Sequence, residues 1–189
     1  MEPDIRPLVV GLLGTCCYIL SLPGREDCVV IDPGAEPERI RQAAEGRSIA
    51  AILLTHGHFD HIAGVGRLME ADTALVIHEL DAPMLQDSQL NAAWLINQSV
   101  TAPEATHLVH EGDEITCAGV TFAVLHTPGH TPGSVCYRVG NALFSGDTRF
   151  HNGFGRTDLP GGSMRDLRRS LARLAPLLDE ATLYPGHEA

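Results

Sequence analysis

The chain has 189 residues, of which 44% are hydrophobic and 20% charged, and its formal net charge at pH 7 is -11. This length fits one domain with a substantial core, and the acidic balance argues against nucleic acid as the main partner, because phosphate binding requires a basic face. All 13 basic residues are arginine, which excludes Schiff-base chemistry on lysine and a Walker-type phosphate loop.

The cysteines and the N-terminus indicate the compartment. The five cysteines are odd in number and scattered, and no two form a C-x-x-C pair. This pattern argues against a disulfide framework or a zinc ribbon and suits a reducing cytoplasm. The apolar stretch 8–16 is not preceded by a basic region, so it does not read as a secretory signal, and no segment reaches the roughly 18 apolar residues of a membrane span. We therefore expect a cytoplasmic protein with no membrane partner.

Short apolar runs rich in valine and isoleucine recur along the chain, each closed by glycine, proline, aspartate or histidine, which is typical of buried strands. The predicted strands cover residues 8–13, 17–22, 28–31, 49–55, 74–78, 114–117, 120–126, 134–139, 142–145 and 182–184.

Helices are fewer. Residues 36–45 follow an Asp-Pro-Gly turn and tolerate a proline in the first helical turn. Residues 62–69 have the apolar content of a short helix. Residues 164–178 form the clearest helix, because Ser163 and Asp166 make a capping box and leucines repeat at helical spacing. The polar segment 81–111 is predicted to be a helix plus a loop that covers one edge of the sheet.

The densest group of potential metal ligands is Thr-His-Gly-His-Phe-Asp-His at residues 55–61, directly after the apolar run 49–54. Imidazole nitrogen and carboxylate oxygen are ligands that zinc, iron and manganese share. In an extended segment His56 and His58 point the same way and can reach one ion, whereas Asp60 and His61 lie where the chain turns. We expect the N-terminus of the following helix to favour ionised Asp60 and neutral His61. One ion does not easily use all four side chains, so the string favours a second metal.

Three later predicted strands each lead into a glycine that precedes a further potential ligand. Strand 120–126 continues into His-Thr-Pro-Gly-His, which ends at His130. Strand 142–145 continues into Gly-Asp, which ends at Asp147, and strand 182–184 continues into Pro-Gly-His, which ends at His187. The sequence thus offers isolated ligands at several strand ends.

This set resembles the metallo-β-lactamase superfamily, whose hydrolases carry a T-H-x-H-x-D-H string, a later H-T-P-G-H, an S/T-G-D and a terminal P-G-H. The string Gly-Arg-Thr-Asp-Leu-Pro-Gly-Gly at residues 155–162 is similar to that of the small glyoxalase II-like thioester hydrolases, also called hydroxyacylglutathione hydrolase-like proteins. The resemblance implies an α/β fold, the αββα sandwich of two mixed β-sheets flanked by helices. Full-length glyoxalase II continues into a helical domain that helps to bind glutathione, whereas this sequence stops two residues after His187. We therefore expect a single hydrolase domain over residues 1–189 without that helical domain.

The resemblance also implies two groups of metal ligands that share a bridging Asp147: His56, His58 and His130 on one ion, and Asp60, His61 and His187 on the other. Two divalent metal ions are therefore expected, with zinc as the first choice and iron or manganese as alternatives. Asp60 would also orient the nucleophile. Arg156 matches the position of a basic residue that meets the carboxylate of the thiol carrier, a role that suits the guanidinium fork. A surface ion pair with Asp158 is the alternative role for Arg156.

The implied function is metal-dependent hydrolysis of a small-molecule thioester. Two dications would lower the pKa of a bridging water from 15.7 toward about 7, and the metal-bound hydroxide would attack the carbonyl while the ions stabilise the oxyanion. The alternative is a persulfide dioxygenase, a branch that binds a single iron through residues matching His56, His130 and Asp147. Gly186 favours the hydrolase, because we expect alanine before the last histidine of the dioxygenases. β-Lactamase activity is disfavoured because no export signal is visible.

The remaining candidates are predicted to lie outside the ligand set. Asp32 ends a strand before the site and either orients a ligand or forms an ordinary Asp-Pro-Gly turn. His126 is predicted to have a structural role or to support a ligand from behind. The other histidines are expected on the surface or in hydrogen bonds: His78, His107, His110 and His151.

Overall fold

The computed structural model describes residues 1–188. Its strands are β1 (Asp4–Val10), β2 (Thr15–Ser21), β3 (Asp27–Ile31), β4 (Ser48–Leu53), β5 (Ala74–His78), β6 (His107–Val109), β7 (Glu114–Cys117), β8 (Val120–His126), β9 (Val135–Val139), β10 (Ala142–Gly146) and β11 (Thr182–Pro185). Its helices are α1 (Pro37–Ala43), α2 (Phe59–Ile62), α3 (Val65–Leu68) and α4 (Met164–Leu178), and two 3-10 turns cover Ala82–Leu85 and Ala93–Ile96.

The strands form two mixed sheets. The first has the order β1-β2-β3-β4-β5-β6 and the second the order β11-β10-β9-β8-β7. In the first sheet β1, β2 and β3 pair antiparallel, and β3 through β6 pair parallel. In the second sheet only β10 and β11 pair parallel. The C-terminal ends of β3 and β4 therefore lie side by side in the first sheet, and those of β10 and β11 lie side by side in the second.

Alternate residues of the strands pack in different layers. On β4, Leu53 packs between the two sheets, whereas Ile52 packs against α1 and α3 on the outer face. On β10, Phe144 faces the inner layer and Leu143 packs against Leu174 of α4. Strands buried on both faces read as continuous apolar runs. The resulting layers are helix, sheet, sheet and helix, which confirms the predicted αββα sandwich.

Helix α4 fixes a loop that contributes to the candidate site. The Oγ atom of Ser163 accepts a hydrogen bond from the backbone N–H of Asp166 (3.2 Å), so the predicted cap is present. The hydroxyl of Ser170 donates to the carbonyl of Pro128 (2.7 Å), and the backbone N–H of Ser163 donates to the carbonyl of Gly129 (2.8 Å). The helix therefore holds the turn that leads to His130.

Two predictions about local structure are wrong. The first strand ends at Val10, not at residue 13, because Gly11 and Gly14 have positive φ values (72° and 66°) and turn the chain. The segment 81–111 contains no α-helix; it forms the two 3-10 turns and then β6, which extends the first sheet by parallel pairing with β5. The hydrophobic residues of this segment do not repeat with the spacing of a helix or a strand. Its local sequence therefore did not predict that β6 pairs with the edge strand β5.

In the part of the chain that the structure describes, no helix combines the length and the apolar character that crossing a membrane requires.

We predict that Tyr137→Phe destabilises the fold. Tyr137 lies fully buried between the sheets, and its hydroxyl donates to the carbonyl of Leu54 (2.8 Å), which joins β9 to the end of β4. Removal of the donor leaves a buried carbonyl unpaired, which costs about 1–3 kcal/mol. Urea unfolding measures the change. Tyr184→Phe is the matched control, since the Tyr184 hydroxyl makes no hydrogen bond within residues 1–188; equal effects of the two substitutions would contradict the prediction.

Candidate metal centre

The candidate ligands stand at the ends of strands from both sheets. Residues 55–61 follow β4, Asp147 directly follows β10, and His187 comes two residues after β11. His130 lies in the turn between β8 and β9. All seven residues predicted as metal ligands therefore meet at one edge of the sandwich: His56, His58, Asp60, His61, His130, Asp147 and His187.

One group of ligands consists of three buried histidines. His56, His58 and His130 each offer a ring nitrogen within 4.8 Å of the other two. The Nδ1 atom of His58 lies 2.9 Å from the Nε2 atom of His130. The Nδ1 atom of His56 is in contact with the hydroxyl of Thr55 (3.1 Å), so the Nε2 atom of His56 remains for another partner.

A second group combines a carboxylate with two histidines. The Oδ2 atom of Asp60 lies 3.4 Å from the Nε2 atom of His61 and 3.2 Å from that of His187. The two Nε2 atoms are 3.4 Å apart. These three ligand atoms therefore surround one point.

Asp147 lies between the two groups. Its Oδ1 atom is 3.3 Å from the Nε2 atom of His61, and its Oδ2 atom is 3.4 Å from the Nε2 atoms of both His130 and His187. The carboxylate thus reaches atoms of both groups, which is the arrangement that a bridging ligand requires.

The spacing and the unpaired atoms fit metal ions. Ligand atoms about 2.0–2.1 Å from a tetrahedral ion lie about 3.4 Å from one another, close to the separations observed here. The Nε2 atom of His56 and the Oδ1 atom of Asp147 are buried and have no hydrogen-bond partner within residues 1–188. Buried polar atoms without partners are costly, and a cation would satisfy both. The edge of the sandwich is therefore a metal-binding cluster of histidine and aspartate.

Asp32 supports a ligand from behind. Its Oδ2 atom lies 2.9 Å from the Nδ1 atom of His61 and accepts from the Thr55 hydroxyl (2.6 Å), and its Oδ1 atom accepts from the backbone N–H of Thr55 (2.8 Å). Asp32, His56 and His61 also come within 4.8 Å of one another. Because both Asp32 oxygens already have partners, Asp32 fixes the orientation of His61, leaving its Nε2 atom to face Asp60 and Asp147. Asp32 has a φ of 50°, which is uncommon for a residue other than glycine.

Backbone carbonyls hold two further imidazoles. The Nδ1 atom of His130 lies 2.7 Å from the carbonyl oxygen of Arg156, and the Nδ1 atom of His187 lies 3.1 Å from that of Leu13. Each contact leaves the Nε2 atom for the cluster. Gly186 allows the final approach, because a Cβ at this position would overlap the Oδ1 atom of Asp147.

Asp81 is a buried residue that sequence reasoning missed. Its carboxylate accepts from the backbone N–H groups of Gly57 (3.1 Å) and Gly133 (2.6 Å) and from the hydroxyl of Thr131 (2.7 Å). It thereby ties the loop that carries His56 and His58 to the turn that carries His130. Burial raises the pKa of Asp81 above its usual value. Its position just after β5 was the available signal, because the site collects residues that follow strands.

The other histidines lie outside the cluster. The rings of His126 and His78 are stacked with their centroids 4.2 Å apart. The Nε2 atom of His126 contacts the carbonyl oxygen of Pro132 (2.9 Å). His110 contacts Glu79, and His107 contacts Thr106. His151 is exposed. These placements agree with the structural or surface roles expected for them.

The two groups differ in protonation when no ion is present. Burial lowers the pKa of His56 well below its usual value and that of His58 to about 3, so both rings are neutral. Burial alone would lower the pKa of His61 too, but Asp60, Asp147 and Asp32 raise it well above the usual value. Burial also lowers the pKa of His187, but its contacts with Asp147 and Asp60 outweigh burial and raise this pKa to about 9. The expectation of a neutral His61 is therefore wrong for the metal-free protein, because α2 starts at Phe59 and three carboxylates outweigh its short dipole.

The predicted substrate residue, Arg156, is exposed at the rim of the cluster. Its Nε and NH2 atoms donate to the two carboxylate oxygens of Asp158 at 2.6 and 2.9 Å. The ion pair with Asp158, which the sequence suggested as the alternative role of Arg156, is thus present. Solvent screens an exposed pair of this kind and makes it weak, so a substrate carboxylate could replace Asp158.

Comparison with known proteins identifies relatives along nearly the whole chain. The family model described as "Metallo-beta-lactamase superfamily" matches residues 10–187. A probable metallo-hydrolase of Bacillus subtilis is 36% identical and covers 96% of this chain and 89% of its own length. A hydroxyacylglutathione hydrolase of Aeromonas hydrophila is 37% identical over 90% of this chain, which corresponds to 61% of that protein.

Solved structures show the same architecture. A B3 metallo-β-lactamase, BLEG-1, superposes with a TM-score of 0.91 at 33% identity, covering 97% of this chain and 91% of its own. The protein TTHA1623, solved in a di-iron-bound form, gives a TM-score of 0.84 at 37% identity, with 96% and 91% covered. ETHE1 from Myxococcus xanthus gives 0.79 at 31% identity, with 98% and 76% covered.

We predict that metal occupancy depends on pH in two steps. Below about pH 9 the ring of His187 is protonated in the metal-free protein and must release its proton to bind an ion, whereas His56 and His58 are already neutral. Equilibration at decreasing pH from about 8 to about 6 should therefore release the ion held by Asp60, His61 and His187 first. Elemental analysis after gel filtration measures the ratio. Simultaneous loss of both ions would contradict the prediction.

Proposed function

Because the chain belongs to the metallo-beta-lactamase superfamily, we propose that it is a hydrolase that uses two divalent metal ions, zinc in first place, to cleave a small-molecule thioester. The observation that carries the proposal is the position of Asp147, within 3.4 Å of imidazole nitrogens from both groups of ligands. The named hydroxyacylglutathione hydrolase among its relatives supports the choice of a thioester. The five unpaired cysteines suit a cytoplasmic location.

The residues of the cluster would have two roles in the reaction, which are binding of the ions and orientation of the attacking water. Bound ions would polarise the thioester carbonyl and lower the pKa of the attacking water. His56, His58 and His130 would hold one ion, Asp60, His61 and His187 the other, and Asp147 both. The half-buried Asp60 carboxylate lies at the pocket that adjoins the cluster, where it can accept a hydrogen bond from the water and orient it.

The reaction needs little acid assistance. Water supplies the oxygen of the new C–O bond, the C–S bond breaks with its electron pair on sulfur, and the products are a carboxylate and a thiol. A thiolate is a weaker base than an amine or an alkoxide, so it leaves without a dedicated proton donor. This matches a site whose buried His56 and His58 are neutral and belong to one group of candidate metal ligands.

A persulfide dioxygenase is the second candidate, because that branch of the superfamily shares the His-Thr-Pro-Gly-His string at residues 126–130 and the Gly-Arg-Thr-Asp string at residues 155–158. It would use a single iron on His56, His130 and Asp147 and consume oxygen. The second group argues for the hydrolase, because Asp60, His61 and His187 converge as closely as the first group does.

An activity panel tests the proposed function. We expect purified protein, loaded with zinc, iron or manganese, to hydrolyse thioesters without oxygen uptake and to leave glutathione persulfide unoxidised. Asp147→Ala should remove bound metal and lower thioester hydrolysis by more than about 100-fold, since it takes a ligand from both ions. His107→Ala, an exposed histidine on β6, is the matched control and should leave both unchanged. Oxygen consumption on the persulfide with one iron per chain would overturn the proposal in favour of the dioxygenase.

A pair of opposite substitutions tests whether Arg156 meets a carboxylate of the thiol carrier. We expect Arg156→Ala to raise the KM for carboxylate-bearing thioesters several-fold and to leave neutral thioesters unaffected. Asp158→Asn frees the guanidinium from its ion pair, so it should lower the same KM. Steady-state kinetics with both substrate types measures the effects. Equal changes for charged and neutral substrates would remove Arg156 from the substrate site.

A further inference from the structure

A small pocket of about 150 Å³ opens onto the candidate metal centre. Candidate metal ligands contribute to its lining, including His58, Asp60 and Asp147. The apolar side chains of the lining are here called the apolar wall: Leu13, Phe59, Ala92, Leu95 and Leu159.

The inner part of the apolar wall is packed. Phe59 is 7% exposed and forms a buried cluster with Ala92 and Ala93, against which Leu159 packs. The backbone N–H of Phe59 donates to the carbonyl of Asn91 (2.9 Å), so the segment 91–96 is attached to the residue that precedes Asp60. This part of the wall is a preformed surface.

The outer part of the apolar wall faces solvent. Leu95 is 45% exposed and Leu13 is 53% exposed, although both line the pocket. Leu13 is also held to the centre, because its carbonyl oxygen contacts the Nδ1 atom of His187 (3.1 Å). Apolar side chains grouped beside a reactive centre are typical of a surface that a ligand covers.

We propose that the apolar wall binds the acyl group of the substrate, and that this group is apolar and has about six carbon atoms. The inference rests on the proposed thioester hydrolysis. A cavity of about 150 Å³ holds a molecule the size of benzene, which limits the group to about six carbon atoms. A peptide or nucleotide thiol is several times larger, so the carrier lies outside the pocket, on the side of the exposed Arg156 and Asp158.

Charge supports the assignment. Within the pocket lining the only cationic side chain besides the histidines is Arg156, and its guanidinium is bound to Asp158. The apolar wall offers no hydrogen-bonding side chain to a hydroxylated or charged acyl group. Such a group would lose its water without gaining a partner there.

A chain-length series tests the proposal. The substrates are N-acetylcysteamine thioesters of acetate, butyrate, hexanoate, octanoate and decanoate, with the lactate thioester as the polar comparison. Each methylene that enters the pocket should raise kcat/KM about fourfold, the equivalent of about 0.8 kcal/mol. We expect the rise to end near hexanoyl, and we expect the lactoyl thioester to be no better than acetyl.

Leu95→Ala is the informative variant, because its exposed side chain can be shortened without a cavity in the core. It should lower kcat/KM for the hexanoyl thioester several-fold more than for the acetyl thioester. Leu108→Ala, an exposed leucine on β6, is the matched control and should leave the profile unchanged. A flat chain-length profile, or a preference for lactoyl, would overturn the proposal while thioester hydrolysis itself stood.

Calorimetric binding of the product carboxylates to metal-loaded protein separates this proposal from the proposed function. Affinity that increases from acetate to hexanoate and drops in Leu95→Ala supports the apolar wall even if no thioester is hydrolysed, in which case only the proposed reaction fails. Affinity that is independent of chain length overturns the apolar wall, whichever thioesters are hydrolysed.

Discussion

The arrangement of the site depends on the contacts between the carboxylate of Asp147 and the imidazoles around it. It lies between two groups of imidazoles, and burial would by itself raise its pKa, yet the neighbouring His61 and His187 hold that pKa well below its usual value. An ionised carboxylate at this depth requires positive charge nearby. Protons on His61 and His187 supply it in the metal-free protein, and bound cations would take their place. Binding of metal is therefore coupled to release of protons.

The surrounding fold keeps this charged cluster in position. Asp32, the carbonyl of Arg156 and the carbonyl of Leu13 each contact the Nδ1 atom of one imidazole and leave its Nε2 atom directed inward. Asp81 joins two ligand loops that come from different sheets. Because most of these contacts connect segments far apart in the chain, the cluster depends on the intact sandwich.

The hairpin between β1 and β2 contributes both to the candidate metal centre and to the pocket beside it. Its turn fixes His187 through a backbone carbonyl and presents the side chain of Leu13 to the pocket. The same few residues thus serve one ligand of the cluster and the surface proposed to bind substrate. The segment 91–96 also has two roles. It packs against Phe59, the residue before Asp60, and it contributes Leu95 to the apolar wall.

The sequence by itself determined ten of the eleven strands and helix α4 and, through its resemblance to a known family, the sandwich and the seven residues of the cluster. Apolar runs of strand length, a capping residue and a string of histidines at residues 55–61 are local signals, and resemblance to a family orders the distant ligands. Only the tertiary structure decided the roles of Asp32 and Asp81, the pairing of β6, the protonation of His61 and the apolar wall. These features arise from contacts between residues distant in the chain and from burial, neither of which a local pattern records.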